Sequence, residues 1–487
     1  MLVRGVHRIP KPTGLESMFD FRAVFSRAVV AAMVGTSTLV AQAPARATVV
    51  RQIDSLATAA LRNGPVAALS IAVVKDRDTL VMKGYGLADL ENDVPATAET
   101  VYRIGSITKQ FTSSAVMQLV EQGKVGLDDD ITKYFPGYPT HGQRVLVRHL
   151  LNHTSGIPSY TDIPKRWGRV VTLDLPHDSL LALVSSDSLM FAPGSAFYYN
   201  NTGYYMLGML IEKVTGQTYA DYLAQHLFSP LGMKSTRYCA TGPVIKHRAQ
   251  GYGNDRGTLV NAQYLSMDNP FAAGALCSTV GDMVRWESAL FGGKVVGASS
   301  LAQMTTPAKL TSNRPMPYGF GLVPDTVAGH RVIGHGGGIN GFISHEEYYP
   351  DDTLTVVVLA NTAPAPSQAV ARNAARAVLG LPLVTRVAPP PEVALDSAQR
   401  ARYVGRYAIQ QPDATRSPAS VVEESGHLVL EARGQRAELV AIGPDLFTVR
   451  GQPGARVSFT MANGRATEFV LDQGMRPLAA RRIEDRE

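Results

Sequence analysis

A serine and a lysine three residues apart are the first side chains whose types and spacing could do chemistry together. Ser106 and Lys109 precede an apolar pattern of helical period, and Gly123 is suited to end that helix. This spacing places both side chains on one face of the first turn. A nearby amine and the positive end of a helix would activate the hydroxyl and stabilise an oxyanion. The pair predicts nucleophilic acyl transfer through Ser106, although such tetrapeptides are common on helix surfaces.

A second polar group stands at Tyr199-Asn200-Asn201, just before a helical pattern over Tyr204–Val214. A tyrosine beside the Lys109 ammonium would have a lowered phenol pKa and could act as a general base. The Asn201 amide could bind a substrate carbonyl. The alternative is a helix-capping asparagine beside a packed tyrosine.

The third motif is Gly334-His335-Gly336-Gly337-Gly338, which we expect at the start of a late strand. Its glycines allow an extended substrate to approach an exposed backbone edge closely. The N–H group of Gly338 could join that of Ser106 in an oxyanion hole. The alternative is a flexible turn.

The elements that must position these motifs predict an α+β fold. Helical patterns span about 51–62 and 367–379, and the region 128–325 shows helices and long loops without a convincing sheet. An early β-hairpin is marginal alone, so we expect it to join the late strands in one antiparallel sheet covered by the first and last helices. The helical middle would be an insertion with a cleft beside it. The strand patterns are 69–75, 79–85, 331–334, 341–349 and 353–360.

The C-terminal part of the sequence has a different residue pattern. Pro389-Pro390-Pro391 indicates a stiff linker, and short alternating runs with turn residues follow it. They predict a small all-β barrel or sandwich of roughly ninety residues. The predicted boundaries are 48–386 for the motif-bearing domain, 387–394 for the linker and 395–487 for the all-β domain.

The N-terminal residues 1–47 resemble an export signal. Arg22 and Arg27 precede an uncharged segment, and Ala45-Arg46-Ala47 offers a cleavage site before Thr48. Met18 could be the true start. The leader contains no cysteine, which excludes a bacterial lipid anchor and favours a periplasmic or secreted protein without a membrane span in the mature chain. The alternative is an uncleaved membrane anchor.

Charge and cysteine content exclude other classes of partner. The chain of 487 residues has a net charge of +6, but residues 1–47 contribute six basic and two acidic side chains, so the remainder is nearly neutral. Nucleic acid is therefore not expected as a partner. Cys239 and Cys277 could form one disulfide in an exported protein, or remain as two buried thiols. Neither cysteine has other metal-ligating residues near it in the sequence, and we expect no metal or cofactor.

Two other hydrolase classes lack their motifs here. His149 and His153 have helical spacing, but the chain contains no H-E-x-x-H, and His345-Glu346-Glu347 has no further histidine at the right distance. The G-x-S-x-G turn of α/β-hydrolases is also missing. We therefore expect neither a zinc peptidase nor an α/β-hydrolase.

Taken together and in this order, the three motifs resemble those of the serine β-lactamase and penicillin-binding protein superfamily. The flanking residues resemble its class C and D-alanyl-D-alanine carboxypeptidase branch over about residues 50–380. They are YRIGSITKQFT (102–112), LLNHTSGI (150–157), FYYNNTG (197–203) and GHGGGINGF (334–342). The C-terminal part resembles, more weakly, a lipocalin-like extension.

The resemblance implies a β-lactamase/transpeptidase-like fold and a role for each motif residue. Ser106 would be the acylated nucleophile, Lys109 its proton partner, Tyr199 the general base and Asn201 the ligand of the substrate amide. His335 would replace the family's lysine, with Gly336 and Gly337 completing the motif. The implied activity is that of an exported serine hydrolase acting on an ester, an amide or a D-amino-acid peptide. The substrate would be a small molecule or a peptidoglycan-type peptide.

His335 departs from the pattern of true β-lactamases, whose lysine helps to hold a substrate carboxylate. With an ordinary pKa near ~6.5, a histidine would be mostly neutral at pH 7 and would gain a proton towards pH 6. A preference for carboxylate-bearing substrates should then rise as pH falls. Alternatives are a D-alanyl-D-alanine carboxypeptidase, a weak β-lactamase, or a penicillin- or peptidoglycan-binding protein without turnover.

Overall fold

The computed structural model describes residues 45–483, except 256, 314, 385–390, 411–415, 433–434, 451 and 473–477. The predicted leader therefore lies outside the described residues, apart from its last three, and so do Pro389 and Pro390. The described residues belong to one unit, Ala43–Glu487. In this part of the chain, no helix has the length and hydropathy needed to cross a bilayer.

Helices dominate the middle of the chain, and strands dominate both ends of the motif-bearing region and the C-terminal part. The helices are α1 Arg46–Asn63, α2 Thr108–Glu121, α3 Val147–Leu151, α4 Pro164–Val170, α5 His177–Ser185, α6 Asn201–Thr215, α7 Tyr219–Leu223, α8 Ser229–Leu231, α9 Phe271–Gly274, α10 Val280–Phe291, α11 Ala298–Thr305, α12 Ser367–Val378 and α13 Ser397–Ala401. The strands of the motif-bearing region are β1 Ala68–Lys75, β2 Asp78–Asp89, β3 Val94–Pro95, β4 Tyr102–Arg103, β5 Arg237–Tyr238, β6 Tyr252–Asp255, β7 Thr258–Asn261, β8 Leu276–Ser278, β9 Val323–Val327, β10 His330–Ile339, β11 Phe342–Tyr349, β12 Leu354–Ala360 and β13 Thr362–Ala363.

The early hairpin joins the late strands in one seven-stranded antiparallel sheet, as the sequence predicts. Its order is β3-β2-β1-β12-β11-β10-β9. β1 pairs with β12 so that Ile71 faces Val358, although the two residues are far apart in sequence. Both strands consist almost wholly of buried apolar residues, which is typical of central strands covered on both faces.

The two faces of this sheet are covered by different helices. Alternate residues of β12 point to opposite sides: Val356 and Val358 belong to one apolar core, and Val357 and Leu359 belong to another. The first core contains α1 and α12, so we call that side of the sheet the outer face. The second core contains α2, α10 and the helical insertion, and we call that side the inner face. The motifs lie on the inner face.

Two predictions about strands were wrong. The glycine-rich third motif is not the start of a strand; it is the second half of β10, where Gly336 pairs with His345 and Gly337 with Ser344 of β11. Hydrogen bonding to β11 along one edge keeps this segment extended despite the low strand propensity of glycine. The middle region also contains short strands, including the β6–β7 hairpin and a three-stranded sheet of order β4-β8-β5.

The C-terminal part is a closed barrel, which resolves the alternative between barrel and sandwich. Its strands follow one another in chain order, and β21 closes back on β14. Aromatic side chains fill its core, namely Tyr403, Tyr407, Phe447, Phe459 and Phe469. Its strands are β14 Gly405–Gln410, β15 Arg416–Glu424, β16 His427–Ala432, β17 Gln435–Gly443, β18 Leu446–Val449, β19 Gln452–Ala462, β20 Arg465–Asp472 and β21 Leu478–Arg482.

Candidate active site

Ser106 lies in a single 3₁₀ turn, Gly105–Ile107, that leads directly into α2. The side chains of Ile104, Ile107 and Phe111 are fully buried and anchor this turn in the inner core. Ser106 itself is half-buried, whereas Lys109, in the first turn of α2, is fully buried. The apolar pattern therefore fixes the backbone and leaves one hydroxyl at the surface of the core.

The Lys109 ammonium is surrounded by oxygen acceptors. Its Nζ donates to Ser106 Oγ at 3.1 Å, to Asn201 Oδ1 at 2.9 Å and to the Ala273 carbonyl at 2.8 Å. An ammonium has three N–H donors, and these three acceptors match them. Lys109 thus connects the first motif with the second across 92 residues of sequence.

Tyr199 is buried against the same lysine. Lys109 Nζ lies 4.7 Å from the centroid of the Tyr199 ring and 5.5 Å from that of Tyr204. A cation over an aromatic face is stabilised by the ring quadrupole. The structure thereby brings Tyr199 beside Lys109, as the sequence predicts.

Asn200 and Asn201 have separate tasks. Asn200 caps α6, because its Oδ1 accepts from the N–H of Gly203 at 2.8 Å. Asn201 points its side chain towards Lys109, and its Nδ2 donates to Thr161 Oγ1 at 3.0 Å. The capping asparagine of the alternative is therefore Asn200, and the binding of a substrate carbonyl by Asn201 stays a prediction.

Glycine lets β10 approach the Ser106 turn more closely than a larger residue would. A Cβ atom at Gly337 would lie 2.0 Å from the Ile104 carbonyl oxygen, and one at Gly105 would lie 2.9 Å from the Gly338 nitrogen. Gly105 also has a φ of +52°, which glycine adopts without strain. Gly336 leaves room for a Cβ, with its nearest atom at 3.4 Å. The close approach therefore needs glycine at 105 and 337.

This approach brings the exposed Gly338 backbone beside the turn that carries Ser106. β9 pairs with β10 only as far as Gly334. Among the described residues, no strand pairs with Gly336–Ile339 on the side away from β11. The third motif therefore has an edge without a strand partner beside the Ser106 turn, and its roles in an oxyanion hole and in binding an extended substrate stay predictions.

His335 does not act as the titrating group that the sequence suggests. Its side chain is fully buried; Nδ1 lies 2.5 Å from the Gly336 carbonyl, and Nε2 lies 3.0 Å from Tyr318 Oη. A carbonyl can only accept, so Nδ1 carries the proton and Nε2 accepts from Tyr318. Burial, reinforced by the Lys109 charge, lowers the pKa of His335 to about 3. The ring therefore stays neutral near pH 6, and the expected protonation there was wrong.

Tyr318 and His153 are residues whose part in the site the sequence analysis missed. Tyr318 is fully buried, and its ring lies 6.0 Å from Tyr199 and 4.6 Å from His153, measured between centroids. His153 Nδ1 accepts from the N–H of Asn200 at 3.0 Å, and its ring lies 4.3 Å from that of Tyr199. His153 stands within the quoted LLNHTSGI segment, whereas Tyr318 had no signal beyond its glycine neighbours.

Cys239 and Cys277 are buried free thiols close to the site. No disulfide joins them in this structure, which shows the two buried thiols of the alternative. Cys277 lies in β8, which pairs with β4 just before the Ser106 turn. In this structure the pair belongs to an apolar cluster that supports β4 and β8.

Comparisons with known proteins agree with this geometry. Penicillin-binding protein 4* of Bacillus subtilis (strain 168) is 29% identical over 424 residues, which cover 82% of this chain and 92% of that relative. A D-aminopeptidase of Gluconobacter oxydans (strain 621H) is 28% identical over 64% of this chain and 59% of its own length. The crystal structure of D-amino acid amidase from Ochrobactrum anthropi SV3, complexed with L-phenylalanine amide, matches with a TM-score of 0.60 and 27% identity, covering 68% of this chain and 97% of that structure.

A family model covers the whole motif-bearing region. The Beta-lactamase family matches residues 53–381, which is more than half of the chain and includes all three motifs. The chain belongs to the Beta-lactamase family and is a serine hydrolase of that family.

Proposed function

We propose that the protein hydrolyses esters or amides of small D-amino acids through an acyl-enzyme on Ser106. The observation that carries this proposal is the position of Lys109 Nζ, which bridges Ser106 Oγ and Asn201 Oδ1. It joins the group that would attack a carbonyl carbon to the group that would hold the substrate beside it. Such convergence of a nucleophile, a proton partner and a polar ligand is what acyl transfer requires.

In the proposed reaction, Tyr199 acts as a phenolate stabilised by the Lys109 ammonium. Ser106 Oγ attacks the substrate carbonyl carbon and passes its proton to this phenolate. The backbone N–H groups of Ser106 and Gly338 stabilise the oxyanion. The leaving amine or alcohol takes the proton as the carbon–nitrogen or carbon–oxygen bond breaks. Water then attacks the Ser106 ester and releases the acid.

The third motif favours neutral or amine-bearing substrates over β-lactams. A lysine would present a permanent cation to a substrate carboxylate, whereas His335 is neutral and both of its ring nitrogens have protein partners. A charge-assisted hydrogen bond to a carboxylate contributes roughly 1.5–3 kcal/mol. Without such a bond from this position, penicillin hydrolysis should be inefficient. The names of two relatives, D-aminopeptidase and D-amino acid amidase, agree with this choice.

We also propose export to the periplasm or medium. Residues 1–47 have the composition of a signal peptide, with basic residues before an uncharged stretch and a small-residue cleavage site. Mass spectrometry of the secreted or periplasmic chain should find Thr48 at its N-terminus. An intact leader there would contradict the proposal.

The test of the activity is a matched substrate panel with Ser106→Ala as control. The panel contains p-nitrophenyl acetate, the p-nitroanilides of D-alanine and L-alanine, and benzylpenicillin. We expect turnover of the ester and of the D-anilide, with benzylpenicillin poorest and all turnover lost in Ser106→Ala. Undiminished hydrolysis by that variant would contradict the mechanism. One equivalent of covalent label without turnover would instead support a binding protein that acylates and stalls.

A further inference from the structure

We propose that Ser344 of β11 is a positioning residue, which holds the Ser106 turn against the third motif and thereby sets the geometry of the oxyanion hole. This inference rests on the proposed function and adds to it a residue outside all three motifs. Ser344 lies on the inner face of the sheet, directly opposite Gly337 of β10. Its side chain is only 3% exposed, so it offers almost no surface to a substrate. It can therefore act on the reaction only through the backbone that it contacts.

The Ser344 hydroxyl joins two elements of the candidate site. Its Oγ donates to the Ile104 carbonyl at 2.8 Å, and Ile104 directly precedes the turn Gly105–Ile107. The Gly337 carbonyl lies 3.4 Å from the same Oγ, which is too far to compete for its one proton. The hydroxyl is thus bonded to the residue before the nucleophile, while the backbone of Ser344 pairs with the third motif.

The backbone at Gly105 explains why this carbonyl needs a second donor. The Ile104 carbonyl also accepts from the Ile107 N–H, but at 3.3 Å that bond is longer than most of its kind. Gly105 has a φ of +52° and no side chain, so the peptide before it can rotate against the peptide that carries the Ser106 N–H. The hydrogen bond from Ser344 fixes the first of these two peptides. It therefore restricts the direction in which the Ser106 N–H points.

The other side of the turn is held by β8. The Ile104 N–H donates to the Leu276 carbonyl at 3.0 Å, and the Leu276 N–H donates to Thr108 Oγ1 at 3.2 Å. These bonds tie the turn to a small separate sheet, whereas the bond from Ser344 ties it to the sheet that contains the third motif. The two proposed oxyanion donors belong to the turn and to that sheet. Ser344 therefore keeps their separation fixed, which is the preorganisation that oxyanion stabilisation requires.

The experiment compares two buried serines that make the same kind of bond in different places. Ser344→Ala removes the bond to Ile104, and Ser367→Ala removes a bond from Ser367 Oγ to the Ile343 carbonyl at 3.0 Å. Ser367 is also buried but lies at the start of α12, on the outer face. We expect both variants of the full chain to fold and to lose a similar amount of Tm, because each loses one buried hydrogen bond. The kcat/KM for p-nitrophenyl acetate and D-alanine p-nitroanilide should fall by roughly ten- to a hundredfold in Ser344→Ala and stay near the wild-type value in Ser367→Ala.

A boronate tests the oxyanion hole without turnover. Phenylboronic acid forms a tetrahedral adduct on a serine nucleophile, and one of its oxygens takes the place of the oxyanion. Its Kd should rise in Ser344→Ala by about the factor by which kcat/KM falls, and should not change in Ser367→Ala. Equal kcat/KM and equal Kd in the two variants would show a purely structural role and overturn the inference, while the proposed function stands. Absence of ester and anilide turnover and of the boronate adduct in the wild type would contradict the proposed function itself.

Discussion

Two adjacent glutamates of β11 show how differently the two faces of the central sheet are built. On the outer face, buried Glu347 accepts hydrogen bonds from His345 Nε2 at 2.9 Å, Tyr349 Oη at 2.7 Å and Arg372 Nε at 3.0 Å. Burial alone would raise its pKa, but these partners hold the pKa of Glu347 below its usual value. The carboxylate is therefore charged and paired.

On the inner face, the described part of the chain offers Glu346 no cationic hydrogen-bond donor. It accepts from the Gln110 side chain, which in turn accepts from Trp286 Nε1 at 2.9 Å, and its carboxyl lies beside that of Glu287. Burial raises the pKa of Glu346, and burial together with the neighbouring carboxyl raises that of Glu287 well above its usual value. Both carboxyls therefore keep their protons to a higher pH than an exposed glutamate would.

The two glutamates indicate that the outer face of the sheet mainly supports stability and the inner face mainly supports the candidate chemistry. On the outer face, buried charges are paired with opposite charges. Small apolar residues of α1 and α12 also pack there, such as Ala57, Ala371 and Ala374. The inner face buries Lys109 and neutral His335 next to the nucleophile. Substitutions on the outer face should therefore change the free energy of unfolding, and those around Lys109 should change turnover.

The largest expected effect is that of Lys109→Met on turnover. Losing the ammonium removes the contact with Ser106 and Asn201 and leaves the Ala273 carbonyl without this donor. We expect kcat/KM to fall by about three decades or more, because residues that act as a unit fail as a unit. Lys133→Met is the control and should retain activity, because the Lys133 side chain is largely exposed and pairs with Asp129 at the surface. A kcat/KM of Lys109→Met within tenfold of the wild-type value would contradict the role given to the inner face.

Gly337→Ala and Gly336→Ala should differ sharply although they are neighbours. The added methyl would collide with the Ile104 carbonyl at position 337, but would find ordinary contact distances at position 336. We expect Gly337→Ala to push β10 away from the Ser106 turn, with a loss of activity of about a hundredfold or more and a lower Tm. Gly336→Ala should stay much nearer the wild type in both measurements. Equal damage from the two substitutions would show that the close approach is not what the glycines provide.

Arg372→Met tests the outer face. It leaves Glu347 buried with one cation fewer, and removing one partner of a buried pair is strongly destabilising. Because Arg372 is partly exposed, we expect a loss on the order of 2–3 kcal/mol in the free energy of unfolding at pH 7. Since a carboxylate with a lowered pKa stabilises above its unfolded pKa, the difference from the wild type should shrink as pH falls below about 4. The kcat of the folded fraction should not change. A drop in kcat comparable to that of Lys109→Met would contradict the separation of stability and chemistry between the two faces.

Glu287→Gln tests the inner pair and should have the smallest effect. Acids whose pKa is raised on folding lose stability as pH rises above the unfolded value near ~4.5, because the unfolded chain releases the proton first. The amide keeps the shape and removes one acid. We expect the variant to gain about 1–2 kcal/mol relative to the wild type between pH 5 and pH 8. Thermal unfolding across that range measures the difference, and parallel pH curves for the two proteins would contradict the raised pKa of Glu287.

Much of the fold could be predicted from local pattern. The period of α2 correctly placed Lys109 in the first turn of the helix, whereas Ser106 lies just before it, in the 3₁₀ turn Gly105–Ile107. The sheet pairing followed because the early hairpin had no other partner. The third motif was misplaced because glycine carries no strand signal, and its extension depends on contact with β11.

The candidate site was predictable as a set of residues but not as an electrostatic environment. From the sequence alone, a histidine can only be assigned its ordinary pKa. Only the fold shows that His335 is fully buried beside Lys109 and hydrogen-bonded to Tyr318. Tyr318 itself has no motif, since its place depends on a loop that returns to Tyr199 from more than a hundred residues away.

The most direct test of the account is to trap the acyl-enzyme and find the residue that carries it. The full chain is mixed with a p-nitrophenyl ester of D-alanine, quenched with acid within the first turnover, and digested for mass spectrometry. We predict an added alanyl mass on the peptide that contains Ser106, absent in Ser106→Ala. Rapid turnover of the ester with no adduct at Ser106, or an adduct on another residue, would contradict the central claim.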